Sequence, residues 1–173
     1  MSKAFTRESD DAPEIRTVPV GRPRLPPGTK NYLTEDGAKR FHDELTSLQN
    51  SPRKVKGASA QLVDEPAEHR MAHLEQALRM AVVVAPPGNV ADATQIRFGA
   101  FVQVRDSAGC EFHYRIVGID ETELDEGWIS WLSPVANALF RKKVGDKTHV
   151  QTPGGRVELT ILAIKYLPPL VHS

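Results

Sequence analysis

The sequence predicts an α+β protein: a short antiparallel helical hairpin, in effect a small coiled coil, followed by an antiparallel β domain with one short helix. Three observations predict it. Apolar residues recur at spacings of three, four and three in two places, as Ala38, Phe41, Leu45, Leu48 and as Met71, Leu74, Leu78, Ala81. Each set is the stripe that one helix buries against another. Next comes Ala85-Pro86-Pro87-Gly88-Asn89, a linker by its turn-forming composition. Beyond it, alternating apolar segments are separated by Gly and Pro turns. The expected divisions are a tail over residues 1–29, the hairpin over 30–84, the linker over 85–95 and the β domain over 96–168.

Residues 1–29 are polar and proline-rich, with acids first and arginines later. Such a composition buries little apolar surface, so a solvated, disordered leader is expected. Thr34, followed by Glu35 and Asp36, signals a helix start. Gly37 in the first turn weakens that helix by up to about 1 kcal/mol against alanine. Pro52 disfavours the helical region at Ser51, so the helix is expected to end or kink there. Arg53, Lys54 and Lys56 make the connection basic. A second helix is expected from Asp64, and residues 82–84 then enter the linker. Neither helix is long enough to be stable alone; pairing, and docking of the open end on the β domain, must hold them.

In the β domain, residues 100–105 and 110–119 read as strands around a turn at 106–109. Phe112, Tyr114 and Ile116 share one face of the second. Residues 121–127 read as an acidic loop and 128–131 as a short strand. Ser133 then caps a helix with Pro134 at its first position, where proline costs nothing. Arg141, Lys142 and Lys143 fall at that helix's C-terminal end, where its dipole favours cations. Strands at 148–152 and 156–165 flank Pro153-Gly154-Gly155.

Composition excludes several classes. The 173 residues carry zero formal net charge, and a quarter of them are charged. That argues against a general nucleic-acid coat, which needs a basic surface to displace counterions. A single cysteine, Cys110, rules out an internal disulfide and a thiolate zinc site; burial in a strand is its expected state. No apolar run is long enough for a membrane helix, and the N-terminus lacks a signal-peptide core. A cytoplasmic monomer without cofactor or bound metal is expected.

Several motifs in one order carry a resemblance. They are Tyr32-Leu33-Thr34-x-x-Gly37, Glu44-Leu45-x-x-Leu48, Arg97-Phe98-Gly99-Ala100 and Tyr114-Arg115-Ile116-Val117-Gly118. After them come Ile129-Ser130, Ser133-Pro134-Val135-Ala136-Asn137-Ala138-Leu139, Lys142-Lys143-Val144-Gly145-Asp146 and Thr152-Pro153-Gly154-Gly155. Together they resemble the bacterial GreA/GreB transcript-cleavage family, GreB more than GreA, across residues 31–167. The resemblance implies an N-terminal coiled coil and an FKBP-like C-terminal domain. That domain would dock at the RNA polymerase secondary channel, on a coiled coil of the largest subunit. The docking residues would be Trp131, Leu132, Ser133, Pro134 and Val135. Leu132 stands where GreB carries an acid. Contact with nucleic acid would be indirect, through the polymerase.

The family cleaves backtracked RNA by bringing two tip acids, in a Gly-Asp-x-x-Glu-Asn motif, to the polymerase active site. There they help hold a second Mg²⁺ and activate water. This chain has neither Gly-Asp nor Glu-Asn. Its nearest acids are Asp64, Glu65 and Glu68, which a helix N-terminus favours on its own account. About fifteen residues of helix reach only about 22 Å. The reading is therefore a factor that binds polymerase and modulates transcription without cleaving, similar in design to the short-hairpin Rnk type. The alternatives are an active cleavage factor using Asp64, Glu65 or Glu68, and a peptidyl-prolyl isomerase by fold analogy alone. Arg53, Lys54 and Lys56 are candidate tip contacts to phosphate or acidic protein. His69 and His73 have metal-pair spacing but no obvious third ligand.

Overall fold

The computed structural model describes residues 25–51, 65–88 and 93–168. Strand β1 (Asn31–Thr34) leads directly into helix α1 (Glu35–Asn50). Thr34 caps α1: its hydroxyl accepts the Gly37 N–H at 3.1 Å, satisfying one donor that the first turn leaves free. At the far end Ser51 is extended and returns its N–H to the Ser47 carbonyl at 3.0 Å. This is the termination that Pro52 imposes. Helix α2 (Glu65–Met80) returns antiparallel to α1 and runs straight into strand β2 (Ala81–Val84).

The two helices share one apolar seam. Leu33, Phe41, Leu45, Leu74 and Ala77 are buried, with Ala38, Leu48, Met71 and Leu78 packed around them. The predicted stripe therefore holds through Leu74 and Leu78. Its fourth position, Ala81, also packs against the seam but as the first residue of β2, and Ala77 is buried beside it. Arg70 braces the hairpin from the side with a two-pronged bond to Glu44 at 2.7 and 2.8 Å.

The segment read as entering the linker is a strand. β2 pairs with β1 in parallel, from Asn31 against Ala81 to Thr34 against Val84. The run Ala-Val-Val-Val is β-branched enough for a strand, but a four-residue parallel partner fifty positions away leaves no local signature.

The C-terminal domain is one curled sheet of five strands. These are β3 (Phe101–Asp106), β4 (Glu111–Val117), β5 (Trp128–Ser130), β6 (Lys147–Thr152) and β7 (Gly155–Lys165), in the order β5-β4-β3-β7-β6. Neighbours are antiparallel except β4 and β5, which run parallel. The sheet is thus mixed, because the chain crosses from the end of β4 through a 3-10 turn (Ile119–Glu121) and a loop before β5. Helix α3 (Pro134–Leu139) lies on the inner face. Ala136 and Leu139 of α3 join Val102, Val104, Tyr114, Ile116, Leu159 and Ile161 in the core.

Two expectations are corrected. Cys110 is exposed, because Asp106 organises the turn: its carboxylate accepts the N–H groups of Ala108 and Cys110, both at 2.9 Å. The strand then starts one residue later. Arg141, Lys142 and Lys143 follow α3 instead of closing it, since the helix ends at Leu139 and Arg141 takes a left-handed backbone (φ 63°). The basic residues Arg53, Lys54 and Lys56, and Asp64, lie outside the described residues. Among the described residues no helix is long and apolar enough to cross a membrane.

Leu74 is fully buried in the hairpin seam. Leu74→Ala should cost about 2–5 kcal/mol in chemical denaturation, the range for a buried leucine cut to alanine. Wild-type stability in that variant would disprove the seam.

Candidate functional site

The residues expected to dock, 131–135, form a short ledge between β5 and α3. Their backbone is fixed by local bonds. The Trp131 N–H donates to the Val117 carbonyl at 2.9 Å, and the Ser133 N–H to the Ser130 carbonyl at 2.9 Å. The Ser130 hydroxyl accepts the Leu132 N–H at 3.2 Å, and Asn137 donates to the Leu132 carbonyl at 3.2 Å. Ser133 caps α3 by accepting the Ala136 N–H at 3.1 Å. Pro134 is exposed at the first helical position, while Leu132 and Val135 are half-buried. The ledge is therefore a rigid surface step with an apolar top.

The two tryptophans differ in burial. Trp128 is buried, with the guanidinium groups of Arg115 and Arg40 over its ring at 4.4 and 5.1 Å. Trp131 is half-buried. It packs on the domain core and meets Tyr32 of β1 edge-on at 5.3 Å. Tyr32 also touches Phe98 at 6.1 Å. The ledge is thus in direct contact with the base of the hairpin.

That base is a polar joint that pattern reading missed. Glu121, placed by sequence in an acidic surface loop, is fully buried. Its carboxylate accepts the N–H groups of Thr34 at 3.0 Å and Gly118 at 2.7 Å, and it also meets the Thr34 hydroxyl. Burial pushes its pKa above the usual range, and the bonds from Thr34 and Gly118 offset only part of that. Gly37 lies against this carboxylate: a Cβ there would stand 1.7 Å from Glu121 Oε1. The glycine expected to weaken α1 is what lets the carboxyl reach the helix start.

Charge pairs surround the joint. Arg115, itself buried, forks onto Asp36 in the first turn of α1 and lies over the rings of Phe101 and Trp128. Burial raises the Asp36 pKa, but the bond and charge of Arg115 outweigh it, and the net shift is downward. Asn31 donates to Asp120 at 2.8 Å, and His73 stands 3.5 Å from the same carboxylate. His73 is therefore a neighbour of the joint, and no group of three metal-ligating side chains forms among the described residues. Of the candidate tip acids, Glu65 opens α2 and Glu68 lies exposed on its first turns.

A family model described as "Transcription elongation factor, GreA/GreB, C-term" matches residues 91–166. The chain is similar to Transcription elongation factor GreB of Neisseria meningitidis, 34% identical over 161 positions, covering 80% of this chain and 96% of that protein. It is also similar to Transcription elongation factor GreA of Ralstonia nicotianae, 36% identical over 154 positions, covering 78% and 97%. A solved GreA/GreB factor of Nitrosomonas europaea is similar over 80% of this chain and 99% of that one, at 22% identity and a TM-score of 0.40. In the Neisseria comparison the 161 aligned positions exceed the 80% of 173 residues that this chain contributes, so that relative carries residues with no counterpart here.

Asp36→Asn should leave the buried guanidinium of Arg115 uncompensated and cost about 3 kcal/mol. The sign with pH follows from the depressed carboxyl. The unfolded chain binds the proton more readily, so the contribution is full above the ordinary carboxylate range and is lost as pH falls through the folded value. Denaturation at neutral and acid pH should show the gap between wild type and D36N closing on acidification; a constant gap would disprove the assignment.

Proposed function

The chain belongs to the GreA/GreB family of transcription elongation factors, and from that premise we propose that it binds RNA polymerase at the secondary channel without cleaving RNA. Residues 131–135 supply the contact, on the coiled coil of the largest subunit. The ledge suits this role: its backbone is pinned, its apolar top is only half-buried, and Leu132 presents a methyl-rich surface where GreB carries an acid. An apolar contact of that kind favours a dry, van der Waals fit over a charged one.

One observation carries the non-cleaving part. Each arm of the hairpin is a single helix of 16 residues, about 24 Å long at 1.5 Å per residue. Residues 51–64 separate the arms; shared equally between them, these 14 residues would lengthen each by about 10 Å at most. A hairpin this short occupies the channel mouth without delivering acids to the catalytic metal. Glu65 and Glu68 begin α2, where negative charge suits the helix dipole, and that position accounts for them. The protein then acts as an accessory factor with no catalytic residues of its own, a short-hairpin design like the Rnk type.

Added alone to a backtracked elongation complex with Mg²⁺, the protein should leave the RNA intact; added before GreB, it should slow GreB-stimulated cleavage. Leu132→Asp combined with Pro134→Ala should weaken polymerase binding in a folded protein. Shortened RNA with this protein alone, abolished by Glu65→Gln and Glu68→Gln, would overturn the reading in favour of an active cleavage factor. Unchanged affinity in the double variant would move the interface elsewhere.

A further inference from the structure

We infer that Glu121 is a positioning residue: it locks the base of the hairpin to the C-terminal domain, so that docking through residues 131–135 also sets the direction in which the hairpin points. The inference rests on the polymerase-binding reading for its consequence, and on the joint's geometry for its substance.

Glu121 belongs to the C-terminal domain, yet only one of its bonds, from the Gly118 N–H, stays there. The other two run to Thr34, the cap of α1. A buried carboxyl is costly unless its oxygens are satisfied. Here they are satisfied only while the hairpin sits in place. Withdrawing the hairpin strips two of three partners and exposes the Thr34 N–H and hydroxyl at once. The contact therefore favours one seating over any partial one.

Two glycines show how close that seating is. A Cβ at Gly118 would lie 1.9 Å from the Tyr32 carbonyl oxygen, and one at Gly37 would collide with the Glu121 carboxylate. Gly118 has φ −64°, a conformation open to any residue. Its missing side chain makes room for the hairpin and does nothing for the domain's own backbone. Gly37 sits inside a helix, where alanine is otherwise preferred.

The lock also resists rotation. Asp36–Arg115 and Asn31–Asp120 hold the hairpin base at points away from Glu121, and Arg70 of α2 stands 3.8 Å from Glu123 on the same loop. Tyr32, between Phe98 and Trp131, carries the constraint to the ledge itself. A partner gripping 131–135 thus grips a body whose hairpin direction is already fixed.

The test uses the full chain. The exposed Cys110 takes one spin label and an added Gln49→Cys, near the far end of α1, takes the other; pulsed electron resonance reads the distance between them. A single narrow distribution is expected with Glu121 present. Glu121→Ala should broaden it, and Glu121→Gln, which keeps the shape, lets its amide oxygen accept both N–H groups and turns its NH2 on the Thr34 hydroxyl as a donor, should restore it. Gly118→Ala should broaden it too, by pushing on Tyr32 while the C-terminal core stays intact in near-UV circular dichroism. This second variant decides the matter if Glu121→Ala does not fold. With polymerase, Glu121→Ala or Gly118→Ala should bind about tenfold more weakly than the wild type, a loss of about 1.4 kcal/mol, and so need about tenfold more protein to block GreB. A narrow distribution in a folded Gly118→Ala, or blocking at wild-type concentration despite a broadened one, would overturn the inference. A wild type that fails to bind polymerase would sink the functional reading instead, with the distance distributions still deciding the lock.

Discussion

The carboxyl of Glu121 is fully buried, and the rest of the architecture depends on how it is satisfied. Its partners come from both halves of the molecule: the turn that holds it and the residue that starts α1. The helix start is therefore not a local affair. Thr34 caps the Gly37 N–H with its side chain while its own N–H is taken by a residue from the other domain. One shared site terminates β1, opens α1 and seats the hairpin. Neither helix is long enough to stand without tertiary support, and this is where that support enters.

The hairpin and the sheet domain contribute in different ways. The hairpin's apolar seam is narrow, with few residues fully buried and much of both helices in solvent. The sheet domain has the larger core, closed by α3. A small unit of this kind gains rigidity by leaning on a larger one. The ledge at 131–135 belongs to the larger unit and touches the smaller one through Trp131 and Tyr32, which makes it a stiff place to present to a partner.

Much of this was legible in the sequence. Phe41, Leu45 and Leu74 declared the seam by their spacing, Ser133-Pro134 declared α3, and the Gly and Pro turns bounded the strands. What escaped was long-range. Val82, Val83 and Val84 look like the entry to the linker until their parallel partner is known. Glu121 looks like one more acid in a loop containing Glu123, Asp125 and Glu126, because nothing in local sequence says that it meets Thr34. Gly37 read as a defect in α1 for the same reason. Only the pairing of Gly37 and Gly118 with a buried acid reveals that both glycines serve close approach. Cys110 misled because a free cysteine is usually buried, whereas here Asp106 holds it in a turn.

The separation of 87 residues between Thr34 and Glu121 has a consequence for the order in which the molecule is made. At ribosomal speeds of about 5–20 residues per second, the second partner follows the first by several seconds, far longer than a helix or a hairpin needs to form. Both arms and their seam have therefore left the ribosome before the group that seats them exists. The nascent hairpin must pass that interval with Thr34 half-satisfied and with Tyr32 lacking its partners Phe98 and Trp131. Seating then comes late in biosynthesis, as a docking of two formed pieces. The joint that fixes the finished molecule is the part of it that the growing chain goes longest without.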